Sequence, residues 1–337
     1  MLYDLAIIGG GPAGVAAGVY ASRKQLHTIF ITKDFGGQSI VSDGIENWIG
    51  TVKISGTDLA KNLETHLRAY ASGTDDKAPI VEIKTGELCQ SIQKSNTPKD
   101  SDSSSVSSTI FLIRTNKGNY SARTVLIATG SDRRKLDVLG ADTFEHKGLT
   151  YCASCDGPLF AGQDVAIVGG GNAGFESAAQ LLAYCKSVTL LNRSDKLRAD
   201  PTTIAAVTAN PKMKLINNAI PKEVKGEKFV TTLIYIETIK NTSRDVELPV
   251  TGIFVEIGSV PTTYFAKDLV TIDAYNRIVV DPRNQRTSVD GVWAAGDATD
   301  GIYHQNNIAA GDAVKALEDI YIYVSKLTGK NKKNDIQ

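Results

Sequence analysis

The chemistry-bearing residues that stand out in this sequence are two closely spaced cysteines, Cys152 and Cys155. Two thiols separated by two residues can close a small disulfide ring, and amides at a helix terminus lower a thiol pKa towards neutrality. The pair therefore predicts a reversible two-electron switch. The alternative is half of a zinc site, but Cys89, Cys185 and the four histidines supply no second clustered pair. We expect Cys89 and Cys185 to be ordinary core or surface thiols.

A glycine-rich turn near the N-terminus has the context of a dinucleotide-binding fingerprint, since an apolar run precedes it and a helix-like segment follows. The turn reads Gly9-Gly10-Gly11-Pro12-Ala13-Gly14. Gly9 permits the tight turn, Gly11 lets backbone amides approach a pyrophosphate, and Gly14 allows close packing of the helix on the strand. The phosphates would then lie on the helix N-terminus, at Pro12 and Ala13. The alternative is a purely structural glycine turn.

The same strand, turn and helix pattern recurs after the cysteine pair. The candidate contacts in this second turn are Gly169, Gly171, Asn172, Ala173 and Gly174. One such turn is a modest signal, whereas two turns in the proper context that bracket a cysteine pair form a strong one. The repeat predicts that the chain binds two dinucleotides.

In each copy of the pattern, the residues at the end of the strand after the helix indicate whether the adenosine ribose carries a free 2′-hydroxyl or a 2′-phosphate. An acidic ribose ligand is expected about twenty residues after the last glycine, but the first copy has Thr32 there and the second has Asn192. Arg193 and Arg198 instead suit a 2′-phosphate, because guanidinium pairs well with phosphate. NADPH is therefore favoured over NADH. The alternative is a solvated basic turn that Asp195 partly neutralises.

Further cofactor contacts are predicted in loops and at the ends of apolar strands. A strand that ends in Gly-Asp can aim its carboxylate at a ribityl or ribose hydroxyl and the following helix at a phosphate. These candidates are Gly37, Gln38, Asn47, Gly296 and Asp297. The alternative for Gly37, Gln38 and Asn47 is ordinary loop chemistry.

The intervening segments predict the remaining elements. Segments 80–92 and 109–114 are expected to be strands of a small antiparallel layer. The polar segment 94–108 is expected to be a flexible excursion, and the charged tail 330–337 to be disordered. The segment 213–255 predicts further strands.

Composition bounds the class of protein. A chain of 337 residues with 42% hydrophobic content is long enough for two domains. Lysine plus arginine equals aspartate plus glutamate at 37 each, so nothing indicates a nucleic acid or an anionic membrane as partner. With neither a basic leader nor a membrane-length apolar run, we expect a cytoplasmic protein. The predicted fold class is α/β, with two Rossmann-like three-layer dinucleotide-binding domains.

Taken together, these motifs resemble the low-molecular-weight thioredoxin reductases over nearly the whole chain. The most specific stretch is Cys-Ala-Ser-Cys-Asp-Gly at 152–157, between the two glycine turns. The resemblance implies that the second domain is inserted into the first: segments 1–131 and 257–337 bind FAD, and the inserted segment 132–256 binds NADPH and carries the disulfide. It also implies that Thr129, Gly130 and Gln305 contact the flavin cofactor. The chain also resembles the reductase part of the alkyl hydroperoxide reductase flavoprotein, without its N-terminal thioredoxin-like region. A free-standing homodimeric reductase of a thioredoxin-like protein is therefore expected.

The resemblance also implies roles for the central residues. Cys155 matches the cysteine next to the flavin, Cys152 the one that attacks the partner disulfide, and Asp156 the general acid. It further implies that the inserted domain rotates on segments 131–134 and 257–260, so that nicotinamide and Cys155 reach the flavin in turn.

Two departures from the family pattern concern the cofactors. The His-Arg-Arg that begins the 2′-phosphate motif is Asn192-Arg193-Ser194 here, and only Gln305 is carried over from a common Arg-Gln-Ala. One alternative is therefore a reductase that uses NADH or another donor, or that serves a peroxiredoxin-type system. The other is a nucleotide-sensing or metal-binding regulatory protein.

Overall fold

The computed structural model describes residues 1–42, 44–72, 79–96, 109–240 and 242–329. The predicted flexible excursion therefore lies mostly outside the described residues, and the predicted disordered tail lies entirely outside them. Within the described ranges, no helix combines the length and the apolar character needed to cross a bilayer.

The secondary structure alternates strands and helices along the chain. The first part contains β1 Leu2–Ile8, α1 Pro12–Arg23, β2 Thr28–Thr32, α2 Gly56–Ala71, β3 Val81–Thr85, β4 Cys89–Asn96, β5 Thr109–Thr115 and β6 Asn119–Ile127. The middle part contains β7 Ser131–Arg133, α3 Ala141–Phe144, β8 Leu149–Thr150, α4 Ala153–Asp156, β9 Asp164–Val168, α5 Asn172–Leu181, β10 Ser187–Leu191, α6 Pro201–Thr208, β11 Met213–Ile216, β12 Ala219–Gly226, β13 Val230–Ile239, β14 Thr242–Pro249 and β15 Gly252–Val255. The last part contains β16 Ser259–Pro261, β17 Val292–Ala294 and α7 Asn306–Thr328.

The first sheet is built from both ends of the chain. Its strand order is β3-β2-β1-β6-β5-β4, and β17 pairs with the second half of β6. Leu5 and Ile7 of β1 pack towards α1 and α7, whereas Ala6 and Ile8 pack on the opposite face. Burial of both faces explains why β1 is a nearly continuous apolar run, as in central parallel strands.

The second sheet is formed by the middle of the chain alone. Its parallel strands lie in the order β11-β10-β9-β15-β8. On one face, Phe175 and Leu181 of α5 join the core, and on the other lies the antiparallel sheet β12-β13-β14. These three layers, between β6 and β17 in sequence, confirm the predicted α/β class and the insertion of one Rossmann-like domain into another.

One sequence expectation about the strands was wrong. Segment 80–92 is two strands, β3 and β4, separated by a turn in which Gly86 has a φ of 69°. Only β4 is antiparallel, to β5, whereas β3 pairs in parallel with β2 and extends the main sheet. Alternation of apolar residues does not reveal which neighbour a strand pairs with, so the break at the glycine was missed.

Candidate functional site

The N-terminal glycine turn has the geometry that its sequence predicts. Gly9 has a φ of 120°, and a Cβ there would lie 2.2 Å from the carbonyl oxygen of Ala128. A Cβ at Gly14 would lie 1.9 Å from the carbonyl oxygen of Gly9, so only glycine lets α1 pack this closely. At Gly11 the nearest atom to such a Cβ, the Cα of Gly37, is 3.9 Å away. The space above Gly11 is thus open to a ligand.

A cavity of about 490 Å³ lies over this turn, at the carboxyl ends of the parallel strands. Ligands of α/β sheets bind at this edge, and the volume is within the usual range of cofactor pockets. The predicted contacts that line it are Gly9, Gly11, Pro12, Ala13, Gly37, Gln38, Thr129, Gly130, Gly296 and Asp297. The sheet therefore brings residues from four separate stretches of sequence to one cavity.

Two other predicted contacts, Asn47 and Gln305, meet beside the cavity. The Asn47 amide donates to Oε1 of Gln305 over 3.0 Å, and the Asn307 amide donates to the Asn47 carbonyl over 2.7 Å. These bonds attach the loop around Asn47 to the start of α7. A carboxylate oxygen of Asp297 lies 3.4 Å from Nδ1 of His304.

Some cavity residues were missed by sequence reasoning. Glu87, Leu88 and Cys89 line the cavity just after β3. Residues just after the carboxyl end of a parallel strand are candidates for ligand contact. This signal was missed because segment 80–92 was predicted to lie in an antiparallel layer. Tyr264 and Phe265 also line the cavity, and no motif in the sequence marks them.

Gln38 joins the cavity to the connection between the domains. Its amide nitrogen donates to the Ser131 carbonyl and, over 3.0 Å, to the Ser131 hydroxyl. Its amide oxygen accepts from Nε of Arg133 over 2.9 Å. A residue predicted to contact a cofactor thus also holds β7, the strand that follows β6 of the first sheet.

The two crossings between the domains form a short antiparallel ribbon of β7 and β16. Gly130 and Gly258, which precede these strands, have φ values of 65° and 98°, and an added Cβ would meet nothing within 4 Å at either. The domain boundaries proposed from the sequence, after residue 131 and before residue 257, stay a prediction; the strands of this ribbon begin at Ser131 and Ser259. Two glycines in open surroundings give it backbone freedom.

Cys152 and Cys155 form a disulfide, with their Cα atoms 5.3 Å apart. Cys152 is the N-cap of the one-turn helix α4, and the amides of Cys155 and Asp156 donate to its carbonyl. Both cysteines are half-buried. In contrast, Cys89 and Cys185 are buried thiols, and burial raises their pKa values to about 12 and about 11. Cys89 and Cys185 are therefore each suited to packing and poorly suited to thiolate chemistry.

Asp156 lies at the contact between the two domains. One of its carboxylate oxygens accepts from the hydroxyl of Thr150, and the other accepts from Ser42 of the first domain over 3.4 Å. Burial raises the pKa of this carboxyl above its ordinary value, although the two hydroxyls and the charge of Arg133 act in the opposite direction. A carboxyl that holds its proton more tightly beside a disulfide can serve as an acid.

The second glycine turn repeats the geometry of the first. Gly169 has a φ of 130°, and a Cβ at Gly174 would lie 2.0 Å from the carbonyl oxygen of Gly169. An added Cβ at Gly171 would meet nothing within 4 Å. Asn172 begins α5, and its side-chain oxygen accepts from the amide of Asp200, which caps α6. The predicted contact Ala173 follows it in the first turn of α5, where it is exposed.

Asn192 shapes the turn that carries the two predicted arginines. It is buried, and its amide donates to the carbonyl of Ser194 over 2.7 Å and to Oδ1 of Asn217 over 3.1 Å. The backbone amide of Arg198 donates to the carbonyl of Gly170 over 3.0 Å, which brings Arg198 beside the glycine turn. Arg193 and Arg198 are both exposed, and neither forms a salt bridge within the described part of the chain.

Two nucleotide-type folds, with a disulfide between their glycine turns in sequence, define a flavin-dependent oxidoreductase class. Residues 3–313 match the family described as pyridine nucleotide-disulphide oxidoreductase, and the chain belongs to that family. Membership implies FAD and a pyridine nucleotide as cofactors.

The curated relatives carry several activities in their names. The chain is 33% identical over 323 residues to an NADH dehydrogenase of Bacillus subtilis, covering 96% of this chain and 58% of that protein. It is 36% identical over 319 residues to an alkyl hydroperoxide reductase component of Pseudomonas aeruginosa, covering 93% and 57%. The chain thus spans less than two thirds of the length of these relatives.

The solved structures resemble the chain over almost its full length. Thioredoxin reductase from Streptococcus pyogenes is 32% identical, with a TM-score of 0.82, over 96% of this chain and 99% of that one. Thioredoxin reductase from Lactococcus lactis, in its FR conformation, is 30% identical over 96% and 100%, with a TM-score of 0.62. These likenesses confirm the resemblance to low-molecular-weight thioredoxin reductases and the predicted fold class.

Proposed function

We propose that this protein is an NADPH-dependent reductase of a thioredoxin-like protein, which passes electrons through FAD and the Cys152–Cys155 disulfide. The observation that carries the proposal is the hydrogen bond between Asp156 and Ser42. It holds the disulfide-bearing α4 against the first domain, a few residues from Gly37 and Gln38 of the cavity. A disulfide carried on an element that contacts the predicted FAD-binding domain is an arrangement that suits a flavin-linked disulfide reductase.

The cavity of the first domain fits FAD. Gly11 leaves room for a pyrophosphate at the N-terminus of α1, where backbone amides and the helix dipole favour anions. Thr129, Gly130 and Asp297 would hold the remainder, and the Asn47–Gln305 pair would lie beside it. Bound there, FAD supplies a two-electron carrier between the nucleotide and the disulfide.

We assign the disulfide chemistry by position. Cys155 would be the thiol next to the flavin, Asp156 would hold the proton that passes to and from that thiol, and Cys152 would attack the partner disulfide. Asp156 is suited to this role, because its pKa is raised by burial at the domain contact. Attack by Cys152 on an incoming disulfide and resolution by Cys155 would leave the partner reduced and the Cys152–Cys155 bond restored.

The cycle would also require the inserted domain to rotate. Nicotinamide and Cys155 must each reach one flavin, and Cys152 must also emerge to meet a protein. The ribbon of β7 and β16, with Gly130 and Gly258 beside it, would serve as the hinge. The two thioredoxin reductases support this, because they match the chain at similar identity and coverage but with TM-scores of 0.82 and 0.62. Different orientations of two similar domains give such a difference.

The choice of NADPH is supported by Arg193 and Arg198. Both are exposed next to the second glycine turn, and a 2′-phosphate offers each guanidinium a charge-assisted partner. We further propose a homodimer in the cytoplasm, by analogy with the thioredoxin reductases. The balanced charge of the chain favours a protein partner over nucleic acid or a membrane.

A second candidate is an NADH-dependent reductase that serves a peroxiredoxin-type system. The names of the curated relatives favour it, since they include NADH dehydrogenase and alkyl hydroperoxide reductase. The uncharged Asn192 and Ser194 in the 2′-phosphate motif also favour it, because the motif has fewer positive charges than the family pattern.

A turnover assay separates the candidates. The purified protein is first inspected for the yellow colour of bound flavin. It is then given NADPH or NADH, and either a thioredoxin or a peroxiredoxin-type disulfide protein, and nucleotide oxidation is followed by absorbance. We expect NADPH with thioredoxin to give the highest specificity constant. A higher constant with NADH and the peroxiredoxin-type protein would favour the second candidate. A colourless protein that oxidises neither nucleotide would refute both.

A further inference from the structure

Glu256 is a titratable residue that the proposed cycle does not use, and it lies against the second glycine turn. It directly follows β15, and its backbone amide donates to the carbonyl of Val168 over 2.8 Å. A Cβ at Gly169 would lie 2.2 Å from the carbonyl oxygen of Glu256. Glu256 is therefore at the carboxyl edge of the sheet, in contact with the backbone of the turn that would receive the pyrophosphate.

The strand order indicates which half of a dinucleotide lies near Glu256. In the sheet β11-β10-β9-β15-β8, the glycine turn follows β9, and Arg193 follows β10. A dinucleotide on such a fold spans the carboxyl edge, with its pyrophosphate at the turn. If the adenosine half lies over β10, the nicotinamide half extends to the other side of β9. That side is β15, which ends just before Glu256.

The carboxyl group of Glu256 has a defined set of neighbours. The hydroxyl of the buried Ser177, on α5, donates to Oε1 over 2.7 Å. Arg133 of β7 is the nearby positive charge, and Glu176 of α5 is the nearby negative charge. Burial raises the pKa of Glu256 to about 7, while Ser177 and Arg133 lower it and Glu176 raises it further. The carboxyl therefore changes charge within the physiological pH range.

We propose that Glu256 lies beside the nicotinamide ring and, when ionised, favours the oxidised nucleotide over the reduced one. The oxidised ring carries a positive charge, whereas the reduced ring is neutral, so only the first gains Coulomb energy from a nearby carboxylate. This inference rests on the proposed function in one respect, that the second glycine turn binds a pyridine nucleotide. Glu256 would then be a specificity residue for the redox state of that nucleotide.

The inference has a defined pH dependence. Above about pH 7 the carboxylate is ionised, so the affinity for oxidised nucleotide rises relative to that for the reduced form. Below that pH the carboxyl is neutral and the discrimination is lost. The 2′-phosphate of NADPH also titrates, with a second pKa near 6, but both redox forms carry it. The ratio of the two affinities therefore isolates the effect of the ring.

The test measures binding to the FAD-loaded protein by calorimetry at about pH 6 and about pH 8.5, on either side of the Glu256 pKa. The ligands are NADP⁺, its tetrahydro analogue, which has a neutral ring and donates no hydride, and 2′,5′-ADP, which has no ring. We expect the preference for NADP⁺ over the analogue to grow about tenfold from the lower to the higher pH, equivalent to about 1.4 kcal/mol. Glu256→Gln keeps an acceptor for Ser177 and should make the ratio independent of pH.

Glu227→Gln is the matched control, because it removes one negative charge from an exposed turn of the same domain. It should keep the pH-dependent ratio, and all three proteins should bind 2′,5′-ADP equally. A wild-type ratio that is constant with pH, or a Glu256→Gln ratio that still changes with pH, would overturn the inference while nucleotide binding stands. A wild-type protein that binds none of the three ligands would overturn the nucleotide assignment as well.

Discussion

Two glycines of the second turn, Gly171 and Gly174, should respond in opposite ways to the same substitution. In Gly174→Ala the new Cβ would lie 2.0 Å from the backbone oxygen of Gly169. Neither the turn nor α5 can yield cheaply, because the oxygen belongs to the backbone. In Gly171→Ala the Cβ meets nothing within 4 Å, and the residue already has an extended conformation, with φ of −96° and ψ of −177°.

The magnitudes follow from these two environments. Overpacking of this kind costs about 1–3 kcal/mol, which lowers the melting temperature of a domain of this size by about 4 °C per kcal/mol. Gly171→Ala should leave the stability within about 1 kcal/mol of wild type, because the entropy that alanine removes from the unfolded chain is offset by the poorer N-cap that it gives α5. Its methyl group, however, occupies the space through which a pyrophosphate approaches. We expect NADP⁺ affinity to fall by about tenfold or more, or roughly 1.4 kcal/mol.

Circular dichroism melting without nucleotide, with FAD bound, measures the first effect, and calorimetric titration with NADP⁺ measures the second. Gly171→Ala should keep its stability and lose affinity, whereas Gly174→Ala should lose stability. A Gly174→Ala protein as stable as wild type would show that α5 is not packed against the turn as described. A Gly171→Ala protein with unchanged affinity would refute the approach of phosphate at that glycine.

Three further predictions concern the disulfide and the donor. In Cys152→Ser the remaining Cys155 thiolate should give a long-wavelength charge-transfer band with oxidised flavin, and Cys155→Ser should give none; equal spectra would contradict the assigned roles. Arg193→Ala should lower the ratio of kcat/KM with NADPH to kcat/KM with NADH by roughly one to two decades, because it loses a charge-assisted hydrogen bond of about 1.5–3 kcal/mol. An unchanged ratio would be evidence against a 2′-phosphate contact. Because Asp156 is protonated only below its raised pKa, the rate at which it protonates the thiol should fall as pH rises through that pKa. Stopped-flow flavin spectra of Asp156→Asn should lose this pH dependence. A variant with the wild-type pH profile would exclude Asp156 as the acid.

The fold class and the cofactor-type turns could be predicted because their signals are local. A strand, a glycine turn and a helix are contiguous, and the positive φ of Gly9 and Gly169 follows from steric rules that act within a few residues. The disulfide was equally predictable, since Cys152 and Cys155 are three residues apart and one helical turn joins them.

Other parts of the candidate site depend on which strands become neighbours. The split of segment 80–92, which places Glu87 in the cavity, arises from the parallel pairing of β3 with β2. No local pattern specifies that pairing, because an alternating strand can pair with either kind of neighbour. The bonds of Gln38 to Ser131 and Arg133 likewise join residues that are far apart in the sequence.

By itself the sequence determined the two glycine turns and the disulfide pair, because steric limits and spacing act over short stretches of chain. Only the tertiary structure decided how the carboxyl groups behave. Asp156 owes its raised pKa to burial at a contact with Ser42 of the other domain. Glu256 owes its pKa of about 7 to burial, although the hydroxyl of Ser177 on α5 and the charge of Arg133 on β7 lower it. Desolvation depends on what packs around a group, and that packing comes from distant parts of the chain.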